Sequence, residues 1–285
     1  RVDDEEGDDL EEGDEAQEED EDATLEASEA HQPQRSALAL PAVLIALLAT
    51  AVATPALAST AHPPISVSRL DDPSPDACLP ADCSLREALI LANGTPGHDT
   101  LVLPAGTYLM NLGLCEWYED RAYACDLDIT DALTVIGASA DDTIITSNPG
   151  HPERGFDIAQ NAVVEMTDLS VRDLPGGFQP IDCGRGIRSK GSLTLERVII
   201  ANNYMRGSGG GICNDGGVLI VRNSVISHNC ACVRGYGGGI YSAGSMVGGV
   251  FRAASAVLQR VTLSGNVAHI HAGGGIYALG PLSFT

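Results

Sequence analysis

From about residue 160 the chain alternates short apolar runs with polar turns, and the alternation repeats. Leu193-Thr-Leu-Glu-Arg-Val-Ile-Ile-Ala-Asn-Asn203 aligns with Leu219-Ile-Val-Arg-Asn-Ser-Val-Ile-Ser-His-Asn229, and a third copy runs Ala256-Val-Leu-Gln-Arg-Val-Thr-Leu-Ser-Gly-Asn266. Each copy is succeeded, 6 to 8 residues on, by a glycine run ending in isoleucine: Gly209 to Ile212, Gly237 to Ile240 and Gly273 to Ile276. A weaker copy has Val164, Met166, Leu169 and Val171, with Gly184-Arg-Gly-Ile187 after it. Three columns result: Leu195, Val221, Leu258; Ile200, Ile226, Leu263; and Ile187, Ile212, Ile240, Ile276. Spacings in the last are 25, 28 and 36 residues. Short alternating strands at this period, with no helix between them, predict a β-solenoid in which like residues stack as interior ladders. The Asn column (Asn203, Asn229, Asn266) falls at a turn where stacked amides can bond between neighbours. The longest repeat carries a Gly- and Ala-rich insertion, Ser242 to Ser255, expected to loop out of one face.

Upstream, Leu101 to Tyr108, Leu133 to Gly137 and Thr143 to Thr146 read as earlier, irregular turns of the same stack. Before them, Leu85, Ala88, Leu89 and Ala92 recur at helical spacing. Ser84 with Glu87 forms a capping box, and Asn93-Gly94 ends the segment. A short amphipathic helix at this place serves to cover the open end of a solenoid, which otherwise exposes strand edges and apolar core.

Composition fits that picture. Aromatic residues make up 4% of the chain while glycine counts 32, so the core needs stacked aliphatics and many tight turns. The net charge of −23 is uneven: residues 1–30 hold 17 of 39 acidic groups and one basic group, leaving 22 acidic and 15 basic beyond. Residues 1–34 are therefore read as a disordered acidic segment, an interaction tail or a solvated leader. No basic cluster supports a nucleic-acid partner. Residues 35–58 combine Arg35, an apolar stretch from Ala37 to Ala53 and Ala56-Leu-Ala58, and read as a signal peptide cleaved after Ala58. A retained N-terminal membrane segment is the competing reading. Residues 59–77 read as a linker and residues 78–285 as the solenoid domain, with 78–108 its capping region. Arg1 and Thr285 read as cut ends, so the expected domain is truncated at the C-terminus, with further turns and any C-terminal anchor missing.

Cys83-Ser84-Leu85-Arg86-Glu87-Ala88 resembles the signature of CSLREA-domain proteins, and Leu103 to Tyr108 is similar to the segment downstream of that signature in the family. The Asn and Gly-Gly-Gly-Ile-Tyr repeats resemble those of polymorphic outer-membrane proteins. The resemblance implies an exported right-handed parallel β-helix of the pectate-lyase-like kind on a bacterial surface, outer membrane included. It implies no particular chemistry, because one fold hosts many functions.

Eight cysteines (Cys78, Cys83, Cys115, Cys125, Cys183, Cys213, Cys230, Cys232) with an export signal predict disulfides. Cys78 with Cys83 and Cys115 with Cys125 are local pairs, and the remaining four pair in any of three ways. A metal site around His228, Cys230 and Cys232 is the rival reading, although its spacing fits no common zinc pattern. A polysaccharide lyase or glycoside hydrolase on this fold needs carboxylates, for a lyase with calcium, and a basic residue on one outer face. Asp126, Asp128, Asp141, Asp142 and Arg121 are candidates without a recognisable constellation. The expectation is a secreted or cell-surface protein of adhesion or passenger type. It has no catalytic residues and no cofactor, calcium entering only with the enzyme alternative. Its partner is a host or environmental glycan or protein; a membrane is met only through the N-terminal segment or a missing C-terminal anchor.

Overall fold

The computed structural model describes residues 62–112, 122, 123, 125–149, 154–176 and 183–285. The acidic segment, the apolar stretch, Cys115 and Arg121 lie outside the described residues. The described chain is nearly all β, with one helix and parallel sheets. No helix among the described residues is long and apolar enough to cross a membrane.

The chain visits four sheets in rotation. One circuit runs Ser192–Glu196 in the first sheet, Ile199–Ala201 in the second, Tyr204–Met205 in the third and Ile212–Asp215 in the fourth, then returns to the first at Val218–Arg222. Each strand pairs in parallel with its counterpart one circuit earlier or later. The first sheet has eight strands, the second and fourth six each, and the third three. The columns legible in the sequence are the registers observed: Leu195 pairs with Val221 and Val221 with Leu258; Ile200 pairs with Ile226 and Ile226 with Leu263; Ile187, Ile212, Ile240 and Ile276 pair in succession. Side chains alternate across each strand, so these columns point inward together and form one apolar core.

The corners combine left-handed backbone with small residues. Asp168, Arg197, Asn223 and Arg260 all have positive φ between the first and second sheets, one per circuit. In the glycine run before Ile240, Gly237 has φ +63°, and a Cβ on Gly239 would stand 2.6 Å from the Gly275 carbonyl oxygen of the next circuit.

The helix spans Leu85–Gly94 with the capping box formed: Ser84 Oγ accepts from the Glu87 amide at 3.3 Å, and the Glu87 carboxylate accepts from the Ser84 amide at 2.7 Å. Its buried face, Leu85, Ala88, Leu89 and Ala92, closes one end of the core. At the other end Leu263, Ile276 and Leu282 are only partly buried and Phe284 is exposed. Of residues 59–77, read as linker, the described part, 62–77, makes contacts with the fold at particular places. Ile65–Ser66 adds a strand to the first sheet beside Leu101 and Val102, and Asp72 is ion-paired to Arg86. The insertion forms an antiparallel hairpin, Ser245–Val247 with Val250–Arg252, that exposes Met246, Val250 and Phe251.

Candidate functional site

In the fourth sheet the inward column is Leu127, Phe156, Ile187, Ile212, Ile240 and Ile276, so the next residue of each strand faces outward. That outer column reads Asp128, Asp157, Arg188, Cys213, Tyr241, Tyr277. Its first half is ionic. The Asp157 carboxylate accepts from Arg154 Nη1 at 2.7 Å, from Arg188 Nε at 3.0 Å and from Arg188 Nη2. Arg154 Nη1 also donates to Asp126 Oδ2 at 3.0 Å, and the Ala122 amide donates to Asp128 Oδ2 at 2.8 Å. Asp128, Asp157, Arg188 and Lys190, with Thr130 and Gln160, line a cleft of about 250 Å³ on this face. Arg252 of the inserted hairpin reaches Gln160, in the amide orientation that satisfies both groups, at 2.6 and 2.8 Å. The insertion therefore borders the cleft.

Cys213, in mid-column, is bonded to Cys183. Beyond it the column turns aromatic. The Tyr241 and Tyr277 rings are parallel within 2° at 5.9 Å, and Tyr236 stands 4.5 Å from both Tyr277 and His271. Burial pushes the Tyr241 phenol up from its ordinary pKa, and the neighbouring Tyr277 adds to the shift.

Burial opposes ionisation of Asp157, but Arg154 and Arg188 outweigh it and hold the carboxyl below its ordinary 3.8. Asp72 behaves alike: burial raises it, and Arg86 with the Asn111 and Leu112 amides brings the net shift below 3.8. A carboxylate depressed by folding contributes stability that is complete above its unfolded pKa and is lost as pH falls through the folded one. Urea denaturation should thus give a flat stability above about pH 5 and a decline as pH drops through the ordinary carboxylate range and below it. Asp157→Asn is expected to be less stable at neutral pH and to lose less on acidification; a decline as steep as the parent's would show that Asp157 is not among the groups responsible.

Asp126, Asp128 and Asp157 place carboxylate oxygens within 4.8 Å of one another, a donor set suited to a hard cation such as calcium. The set does not fit one as it stands, because Arg154 and Arg188 already hold the Asp157 oxygens and Arg154 bridges to Asp126. Of the sequence candidates, Asp126 and Asp128 join this cluster. Asp141 and Asp142 do not: they are exposed in a turn where Ser139 Oγ donates to Asp142 at 2.8 Å. Arg154, Asp157, Arg188 and Lys190 escaped the sequence reading. The signal was present in Leu127-Asp-Ile129 and Phe156-Asp-Ile158, which are earlier members of the isoleucine column.

The cysteine pairs are Cys78–Cys83, as expected, and Cys183–Cys213 with Cys230–Cys232, one of the three open pairings. Cys125 is also disulfide-bonded, and its expected partner Cys115 lies outside the described residues. The metal reading for His228, Cys230 and Cys232 is corrected: the two sulfurs are bonded to each other, and the imidazole beside them is His269. Comparison with models of known families, with curated proteins and with solved structures finds no match to this chain.

Proposed function

We propose that the chain is a right-handed parallel β-helix, exported to the cell surface or secreted, that binds an extended glycan or protein and carries out no catalysis on it. The observation that carries this reading is the outer column of the fourth sheet, with its ionic cleft at one end and tyrosine stack at the other. Strands lie about 4.8 Å apart, so the partly exposed Tyr241 and Tyr277 and the mouth of the cleft offer spaced contacts to a polymer lying across them. Aromatic faces supply contact area with few rotatable bonds, and the cleft supplies polar groups of both signs. The bordering hairpin, with exposed Met246, Val250 and Phe251, adds a variable edge of the kind loops contribute to recognition. Export and the surface location rest on the apolar stretch before Ala58 and on the resemblance to CSLREA-domain proteins.

The non-catalytic half is supported by the state of the carboxylates. A general base works best with a pKa near the operating pH, whereas Asp157 is held below its ordinary value by two guanidinium groups. A polysaccharide lyase or glycoside hydrolase is the second reading, and one observation favours it: carboxylates, Arg188 and Lys190 share one cleft on an outer face.

Affinity electrophoresis of the full chain against acidic and neutral polysaccharides, with calcium and with chelator, separates the readings when reducing and unsaturated products are monitored in parallel. The expected outcome is retardation by at least one polysaccharide without product. Tyr241→Ala should weaken it about tenfold, equivalent to ~1.4 kcal/mol. Chelator-sensitive product formation would overturn the non-catalytic reading, and retention unchanged by Tyr241→Ala would move the binding face elsewhere.

A further inference from the structure

The third sheet holds a feature that the binding face does not use. Cys230 and Cys232 are bonded to each other across a single intervening residue, and both residues are partly exposed. Loop-closure stabilisation grows with the length of chain enclosed, so this separation of 2 residues contributes far less than the separation of 30 in Cys183–Cys213. A bond that does so little for the fold is free to open.

Its surroundings favour opening. Cys230 pairs with Val267 and Ala231 with Ala268, and continuing that register by one residue sets His269 beside Cys232. The His269 amide donates to the Ala231 carbonyl at 3.3 Å, and a ring nitrogen lies within 4.8 Å of both sulfurs. On the other side Tyr204 pairs with Cys230 and Met205 with Ala231, so the same continuation brings exposed Arg206 to the position next to Cys232. An imidazole within reach of both sulfurs, with a basic residue in register beside Cys232, favours a departing thiolate. Cys183–Cys213, by contrast, is buried.

The geometry points to Cys230–Cys232 as a thiol–disulfide exchange site, open to small-molecule and protein thiols. A thiolate attacks one sulfur, the Cys230–Cys232 bond breaks, and a mixed disulfide forms while the other sulfur leaves as thiolate and takes a proton. His269 is the positioned group for that transfer. A second thiolate then attacks the mixed disulfide and releases the thiol substrate as its own disulfide. Two substrate thiols are oxidised, the protein disulfide is reduced to two thiols, and no other oxidant enters.

The test uses the full chain with reduced glutathione at neutral pH, quenched by alkylation and mapped by mass spectrometry for each pair. Cys230 and Cys232 should be alkylated at glutathione concentrations that leave Cys183–Cys213 closed, with one oxidised glutathione released per chain and the far-ultraviolet circular dichroism unchanged. His269→Ala, at an exposed position, should slow opening at least tenfold, the low end of general acid–base effects being about 10², without altering Cys183–Cys213. Opening of both pairs together, only as the β signal is lost, would overturn the proposal. So would a rate unchanged in His269→Ala.

Discussion

Replacing Arg86 by methionine is expected to cost about 3–5 kcal/mol of stability, the range for removing one partner of a buried ion pair. Arg86 is 1% exposed, yet every direction its guanidinium faces is met. Nε and Nη2 grip Asp72 at 2.7 and 3.0 Å; Nη1 donates to the Ala122 and Asp126 carbonyls at 2.9 and 3.2 Å, and Nη2 to that of Cys125 at 2.9 Å. One side chain thus joins the helix, the segment before it and the segment entering the fourth sheet. Methionine leaves Asp72 buried without its cation and takes the guanidinium away from three carbonyls. Lysine keeps the charge but not the planar fork, so Arg86→Lys should recover less than half of the loss. Adding Asp72→Leu to Arg86→Met removes the stranded carboxylate and should restore part of the stability. Urea denaturation of the four proteins decides this. A loss under about 1 kcal/mol in Arg86→Met would mean that water or a rearranged loop replaces the fork.

That arrangement gives a physical account of the hexapeptide. Cys83 is bonded to Cys78, Ser84 and Glu87 cap the helix, Leu85 and Ala88 face the core, and Arg86 holds three segments together. Tyr108, farther along, donates its hydroxyl to the Pro104 carbonyl at 2.8 Å, and burial pushes its phenol up to about 12.

The interior was legible because inward positions are chosen by one requirement, stacking like on like, and that requirement repeats with the circuit. Corners were partly legible. The glycine runs declare themselves, but Asp168, Arg197, Asn223 and Arg260 share a left-handed backbone with four residues of three kinds, so no letter marks the column. The outer face was least legible. No single residue type runs along it: Asp128 and Asp157 give way to Arg188, then Cys213, then Tyr241 and Tyr277, of which only the tyrosines continue a repeat visible in the sequence. Charge complementarity between Asp157 and Arg188 exists only across strands 31 residues apart. Recognising Leu127 and Phe156 as members of the isoleucine column would have exposed it. Those two circuits lack the glycine triplet that identifies the later ones, and so passed as irregular.

The Asn column makes the sharpest test of interior stacking, and its middle member carries most. Asn229 is fully buried. Its Oδ1 accepts from the Asn203 amide at 3.1 Å and from Asn203 Nδ2 at 3.0 Å, while its Nδ2 donates to the Ile200 carbonyl at 2.9 Å and to Asn266 Oδ1 at 3.0 Å. The side chain thus links its own circuit to both neighbours. Asn229→Leu matches the volume closely but leaves donors and acceptors unpaired in a buried corner. At about 1–3 kcal/mol for each buried group, discounted for relaxation, the expected loss is about 3–4 kcal/mol. Asp at this position retains the acceptor and loses both donations, so Asn229→Asp should be nearly as damaging at neutral pH and should recover as the carboxyl is protonated in acid. Asn266, nearer the partly covered end and only partly buried, meets one stacked asparagine where Asn229 meets two, and donates to the Ile226 carbonyl at 2.8 Å, so Asn266→Leu should lose less. Equal losses at Asn229 and Asn266 would mean that the bond from Asn229 to the following asparagine adds nothing, and that each amide counts only for its contacts to the preceding circuit.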